Sequence, residues 1–277
     1  MKISKADGRA ASIRSPIRWA GSKRQLVPAL AEYWSDGFDR YVEPFCGSCA
    51  LFFHLTPAKA LLSDANEDLV HFLRMMKSNA VAIWKSVLEI PISSEAFALS
   101  RSQVPSQLGH IARAARFYYL NRNCFNGLYR TDRAGRFNVP FSGSRTGALP
   151  SMTEFMECGE RLSTSSIHAC DFGRTLTKVR RGDFVYLDPP FYVSSRRVFR
   201  HYGPRTFCDR DIDRLGRHLD RIDSSGAKFV LSFAACDDIK EIAATWNSRR
   251  VRVRRQIAGF GAKRRFAYEL LITNMSL

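Results

Sequence analysis

The sequence is short of acidic residues. Asp and Glu number 26 against 43 Lys and Arg, giving a formal charge of +17 over 277 residues and a pI near 10.0. That shortage points to a polyanionic partner, nucleic acid first. No apolar run approaches the roughly 18 residues of a membrane-spanning helix, so no membrane association is expected. No signal peptide is visible. Residues 1–14 are basic but interrupted by Asp7 and lack an amphipathic pattern, so they read as a disordered arm rather than a transit peptide. The seven cysteines are odd in number and scattered, which suits a reduced, intracellular protein and a cytoplasmic location. Cys46 and Cys49 form a C-x-x-C without the second pair or the histidines that zinc needs. No metal is therefore expected, and the two cysteines read as small side chains in a tight loop. There is no G-x-G-x-x-G, no internal repeat and no low-complexity segment.

What is present begins with Asp188-Pro189-Pro190-Phe191. It follows the apolar run 183–187, which reads as a buried strand. Two prolines end the strand and turn the chain, and open α/β sheets bind ligands outside the carboxyl ends of their strands. Asp188 and the Pro189 carbonyl can accept both hydrogens of one amino group, and Phe191 can stack on a flat heterocycle. Acceptors held at such an amine localise its lone pair and stabilise a transition state. An inert Asp-Pro-Pro turn is the alternative.

Earlier in the chain, Gly21 and Ser22 end an extended piece. Ser22 is predicted to cap a helix whose apolar face is Leu26, Leu30 and Tyr33. With Lys23, the start of that helix suits an anion such as a carboxylate. Residues 40–53 read as strand, small-residue loop and helix, the loop letting backbone approach a ligand. Residues 60–64 read as a second strand ending in Asp64, where nucleoside-binding α/β folds hold a ribose. From 67 to 120 the pattern is helical, broken near 91–94 and 102–106. Residues 128–131 and 136–139 are predicted as two strands around a turn at 132–135. This ribbon carries Arg130, Arg133 and Arg136 near Asn126 and Asn138, and Arg and Asn read base edges in a major groove. Asp171-Phe172 sets an acceptor beside a stacking surface, which suits an adenine ring. Helices are predicted at 209–224 and 237–247, with strands at 228–233 and 267–274. Basic residues cluster at 196–200, 249–255 and 263–265.

Taken in order, these segments resemble the Dam-type, D12-class adenine-N6 DNA methyltransferases over about residues 16–274. Trp19-Ala20-Gly21-Ser22-Lys23 resembles the segment that holds the methionine end of S-adenosylmethionine. Glu43-Pro44-Phe45-Cys46-Gly47-Ser48 resembles the cofactor loop, Asp64 the ribose-binding acid and Asp171-Phe172 the adenine-holding pair. Asn121-Arg122 through Phe141 resembles the recognition hairpin, and the tetrad at 188–191 the catalytic one, with Asp188 also beside the cofactor.

The resemblance implies an α/β, Rossmann-like, S-adenosylmethionine-dependent methyltransferase fold with an inserted helical and β-hairpin recognition domain. Residues 1–75 and 165–277 would form the catalytic domain and 76–164 the target-recognition domain. It implies methylation of N6 of a flipped-out adenine in double-stranded DNA, at GATC-like sites, by a monomeric, nucleoid-associated enzyme. Three positions depart from the family: Phe191 for Tyr, Cys49 for Gly and Ser22 for Gly. Cys49 is expected to crowd the cofactor loop. A DNA-binding protein without catalysis, and methylation of cytosine N4 or RNA adenine, stay open at this point.

Overall fold

The structure is a computed structural model and describes residues 13–190, 207–234, 239–255 and 265–276. The expectations for Phe191, for residues 1–12 and for the basic positions at 196–200 and 263–264 lie outside the described residues. The strands are β1 (Arg40–Glu43), β2 (Ala60–Asp64), β3 (Ser165–Ala169), β4 (Asp183–Leu187), β5 (Lys228–Ala234), β6 (Asn247–Arg255) and β7 (Arg265–Thr273), with β2, β4 and β5 built from apolar runs. They make one sheet in the order β3-β2-β1-β4-β5-β7-β6. The pairs from β3 to β5 are parallel, while β7 runs antiparallel to β5 and β6.

Alternation along the strands separates two faces. Tyr41, Leu62, Phe184 and Tyr186 enter one core, shared with helices α1 (Val27–Ala31), α2 (Ala50–Leu55), α3 (Glu67–Leu88), α5 (His110–Asn123) and α6 (Met152–Leu162). Val42, Leu61, Val185, Leu187 and Phe229 enter the other, under α7 (Phe172–Leu176) and α8 (Asp209–Ser224). Burial on both faces is why these strands read as apolar runs rather than as alternating ones. A third, smaller cluster joins Phe97 of α4 (Ser94–Ser102) and Tyr119 and Leu120 of α5 to Phe137 and Val139 of the hairpin. The expected domain boundary at 75/76 falls inside α3, close to a kink at Asn79. Gly159 of α6 approaches α3 so closely that a Cβ there would stand 2.6 Å from the Met76 carbonyl oxygen. No helix among the described residues is long and apolar enough to cross a membrane.

Several expectations need correcting. Ser22 caps nothing. α1 begins at Val27 after a turn, with Leu26 at its N-cap and Pro28 in its first turn, and the Ser22 hydroxyl instead lies 3.1 Å from that of Ser48. Leu26 and Leu30 are buried as predicted. The ribbon is not two regular strands. One bridge, Thr131 to Phe137, and the bonds Asp132 N–H to Arg136 O and Asn138 N–H to Arg130 O hold a short irregular hairpin. The helix predicted at 237–247 is only α9 (Lys240–Thr245), and the basic run after it is β6, an edge strand of the sheet. Alternation of Arg and Val at 250–253 signals that strand, but it reads equally as a charge cluster. β3 was not foreseen, because Ser165, Ser166 and His168 dilute its apolar signal.

β1 and β4 are also joined by charge. The Arg40 guanidinium donates to both oxygens of Asp183, at 3.1 and 2.6 Å, and Asp183 is fully buried. Breaking a buried pair by removing one partner strands the other charge. Arg40→Ala is therefore expected to destabilise the fold by about 3 kcal/mol, seen as a lower urea midpoint with unchanged slope.

Candidate active site

In parallel sheets the carboxyl ends of the strands lie on one edge. Here the chain leaves β1 for β2 and β3, then returns to the other side of β1 as β4. Loops after β1 and β4 therefore diverge, which opens a crevice between them. A cavity of about 590 Å³ occupies it, lined by residues from 19–23, 43–48, 64–67, 169–172 and 186–190. Every expected cofactor segment thus reaches one cavity, although those segments are spread over most of the chain.

Glu43 ends β1 and is almost fully buried. Burial pushes its carboxyl well above the usual range, and the charges of Asp188 and Asp64 add to that. The neighbouring Tyr41 hydroxyl opposes the shift, yet among the described residues Glu43 Oε2 has no hydrogen-bond partner of ordinary geometry. Asn66 Nδ2, beside the cavity, has none either. The loop after Glu43 is pinned by Asp64, whose Oδ2 accepts from Gly47 N at 3.0 Å and whose Oδ1 accepts from Asn66 N at 2.9 Å. Burial raises the Asp64 carboxyl, and these backbone bonds partly offset it. Gly47 has φ +44°, and a Cβ on it would stand 2.9 Å from the Trp19 ring, so the indole lies directly on the loop.

Cys49 also has a left-handed backbone, φ +54°. Such a conformation costs a residue with a Cβ roughly 1–2 kcal/mol, which accounts for the glycine that stands here in the family it resembles. Its side chain is fully buried and does not line the cavity. The expected crowding is thus not of the ligand space, and the cost of Cys49 is backbone strain.

Asp171 caps α7 by accepting from Gly173 N at 2.9 Å and is ion-paired with Arg214 of α8. The Arg214 guanidinium also lies 4.5 Å from the Phe172 ring centroid, and Phe172 packs on Phe45 with centroids 5.1 Å apart. This end of the cavity is a flat aromatic wall rimmed by a paired acid.

Asp188 follows β4. Lys23 Nζ stands 2.7 Å from its Oδ1 and 3.6 Å from Glu269 Oε2 on β7. The Ser232 hydroxyl donates to the same Oδ1 at 3.1 Å. No described residue hydrogen-bonds to Oδ2. Burial raises the Asp188 carboxyl, Lys23 and Ser232 pull it back, and the net shift is upward. For Lys23 burial acts downward, but the two carboxylates outweigh it and the ammonium is held above its ordinary value. Lys23 is thus turned to two protein carboxylates and not displayed at a helix start. Pro189 and Pro190 line the cavity beside Asp188.

The expected DNA-contacting residues divide. Asn121 is buried and bridges the backbone of Arg18, accepting from its N–H at 3.0 Å and donating to its carbonyl at 2.6 Å. Arg122 donates to the Pro16 carbonyl at 2.9 Å. These two are internal struts that hold the segment 16–18 against α5. Asn126, Arg133 and Arg136 are exposed, Arg136 pairing with Asp132 across the turn. Arg130 Nε donates to Asn138 Oδ1 at 2.7 Å, which presents the two side chains as a unit. Tyr129 stacks on Trp19 and donates to Asp68 at 2.9 Å, so the hairpin root touches the cavity-lining segment 19–23. Sequence reasoning missed Arg214, Ser232, Glu269 and Tyr129. Nothing local marks them, since their partners lie on other elements.

The residues present fit S-adenosylmethionine. An orphaned buried carboxyl oxygen, an orphaned amide, a glycine that only a bare backbone can occupy and an aromatic wall line a cavity of suitable volume. Comparison with known proteins agrees. Residues 19–257 match the model of the D12 class N6 adenine-specific DNA methyltransferases. The type II methyltransferase M1.LlaDCHI of Lactococcus lactis subsp. cremoris is 29% identical over 95% of this chain and 96% of its own. The type II methyltransferase M.MjaIII of Methanocaldococcus jannaschii is 28% identical over 93% and 98%. A DNA adenine methylase of Serratia marcescens is 30% identical over 74% and 77%.

Gly47→Ala drives a Cβ into the Trp19 ring from a left-handed backbone. It is expected to weaken S-adenosylmethionine binding at least tenfold, about 1.4 kcal/mol, as measured by calorimetry.

Proposed function

The chain belongs to the D12 class of N6 adenine-specific DNA methyltransferases, and from that premise we propose how its own residues carry the reaction. The chain is an S-adenosylmethionine-dependent DNA adenine methyltransferase, and the seven-stranded α/β sheet is of the kind such enzymes use. In our reading Trp19, Ala20, Gly21, Glu43, Pro44, Phe45, Gly47, Ser48 and Asp64 hold the cofactor, and Asp171 and Phe172 take its adenine. When bound, S-adenosylmethionine supplies an electrophilic methyl group on a sulfonium, whose C–S electron pair stays with the sulfur.

The target amine lies inside the base stack, so the adenine must leave the duplex to reach the cavity. Asp188 Oδ2 and the Pro189 carbonyl then accept from the two N6 hydrogens. This favours a tetrahedral nitrogen whose lone pair forms the new N–C bond. The N–H proton that must leave has the Asp188 carboxylate beside it. The observation that carries this reading is the division of Asp188. Oδ1 is taken by Lys23 and Ser232, and Oδ2 accepts a hydrogen bond from no described residue. Fixing an acceptor before the substrate arrives removes an orientational cost from the step.

The hairpin is proposed to read bases, through Arg130 held by Asn138 and through exposed Asn126, with Arg133 and Arg136 on phosphates. GATC-like sites are the preference we assign to it. We further propose that the enzyme acts as a monomer, in the cytoplasm with the nucleoid.

Radiolabelled methyl transfer tests the chemistry. Asp188→Ala is expected to lower kcat at least about 100-fold, and a variant with wild-type activity would remove Asp188 from the mechanism. Arg130→Ala is expected to relax base preference at one position by about 1–3 kcal/mol. Methylation confined to the original sites at the original rates would show that Arg130 is not a reader.

A further inference from the structure

The group that makes Asp188 half-occupied includes two residues, Ser232 and Glu269, that belong to none of the motifs described above. Ser232 sits on β5 and is fully buried, and Glu269 sits on β7 with 4% of its surface exposed. The Tyr186 hydroxyl lies 3.1 Å from Ser232 Oγ. A hydroxyl has one hydrogen, and that of Ser232 goes to Asp188, so Tyr186 must be the donor to Ser232. Burial holds the Tyr186 phenol far above its ordinary pKa, which keeps it a donor. The result is a directed relay in which Tyr186 donates to Ser232 and Ser232 donates to Asp188 Oδ1. On the other side, Lys23 is shared between Asp188 and Glu269.

Each half has a separate physical effect. A donor on Oδ1 favours the ionised carboxylate and fixes its rotation. A second carboxylate on Lys23 does the reverse of a simple ion pair. It draws the ammonium partly away, so Asp188 is anchored without being fully neutralised. An acceptor neutralised by its own lysine would pull weakly on an amine. Among the described residues, the charged and titratable groups around Asp188 are Lys23 before α1, Glu43 on β1, Tyr186 on β4 and Glu269 on β7.

We propose that Ser232 and Glu269 are positioning residues for the methyl transfer, acting through Asp188 to orient one oxygen and leave the other reactive. The proposal rests on the reading that Asp188 accepts from the target amine. Neither residue touches the cofactor or the base in this account.

The two substitutions have opposite signatures in the pH profile of kcat, whose acid limb reports ionisation of Asp188 in the complex. Ser232→Ala removes a donor to the ionised form. The limb moves up by roughly one unit and kcat falls about tenfold, with KM for DNA and for S-adenosylmethionine within about twofold. Glu269→Gln removes the competing carboxylate. The limb moves down, and the plateau falls because Lys23 then neutralises Asp188 more completely. Tyr186→Phe, which withdraws only the outer donor, moves the limb up by less and decides the matter if Ser232→Ala fails to fold. Calorimetry with S-adenosylmethionine verifies that each variant keeps its cavity.

Limbs that stay in place, or that move in the same direction for Ser232→Ala and Glu269→Gln, overturn the proposal. So does a fall in kcat with no shift of the limb, which marks a merely structural role. Asp188→Ala separates this from the underlying reading. If it is inactive while both positioning variants match wild type, only the present inference fails. If it is active, the assignment of Asp188 itself fails.

Discussion

Parallel pairing of β1 with β4 is the constraint on which the site depends. Val42 lies opposite Val185 in that register, so both strands end on one edge, with Glu43 closing one and Asp188 just beyond the other. The pairing is held from both faces by apolar side chains and at its far end by the buried Arg40–Asp183 pair. Because β2 and β3 continue on one side of β1 and β4 lies on the other, the loops part at this point and nowhere else along the parallel strands. A cavity there follows from topology before any functional side chain is considered.

The cavity is unusual in its charge. Glu43, Asp64, Asp188 and Glu269 gather in and around it within a chain of high positive charge. Burial alone would neutralise such carboxyls. Three of them are held differently: Asp64 by backbone N–H groups, Asp188 by Lys23 and Ser232, and Glu43 by little besides the nearby Tyr41 hydroxyl, so that burial pushes its carboxyl well up. The three carboxyls thus share one upward push from burial and differ in the groups that oppose it. The surplus of arginine and lysine in the chain as a whole is of the opposite sign, the sign that favours a polyanionic substrate such as DNA.

Much of this was legible in the sequence wherever the signal is local. The run 183–187 with two prolines soon after it gave β4 and its end, and the helix expected at about 209–224 is α8. The segments that line the cavity were legible because small residues, an acid at a strand end and an aromatic beside an acid are local patterns. What escaped is non-local. Arg214 reaches Asp171 across 43 residues and Ser232 reaches Asp188 across 44, and no spacing rule announces either. Asn121 and Arg122 look like nucleic-acid contacts by type, yet a buried turn of α5 spends them on the backbone of 16–18. β6 was hidden because arginines on an edge strand resemble a charge cluster.

The central claim is that a fixed carboxylate at the end of β4 directs a methyl group to adenine N6. Sequencing that maps modified bases in DNA from a host expressing the protein tests it most directly. The account predicts N6-methyladenine at a defined set of sites with the wild-type chain, and none at those sites with Asp188→Ala. Unmodified DNA from wild-type expression, methyl groups on cytosine N4, or an unchanged adenine map with the Asp188 variant would contradict it.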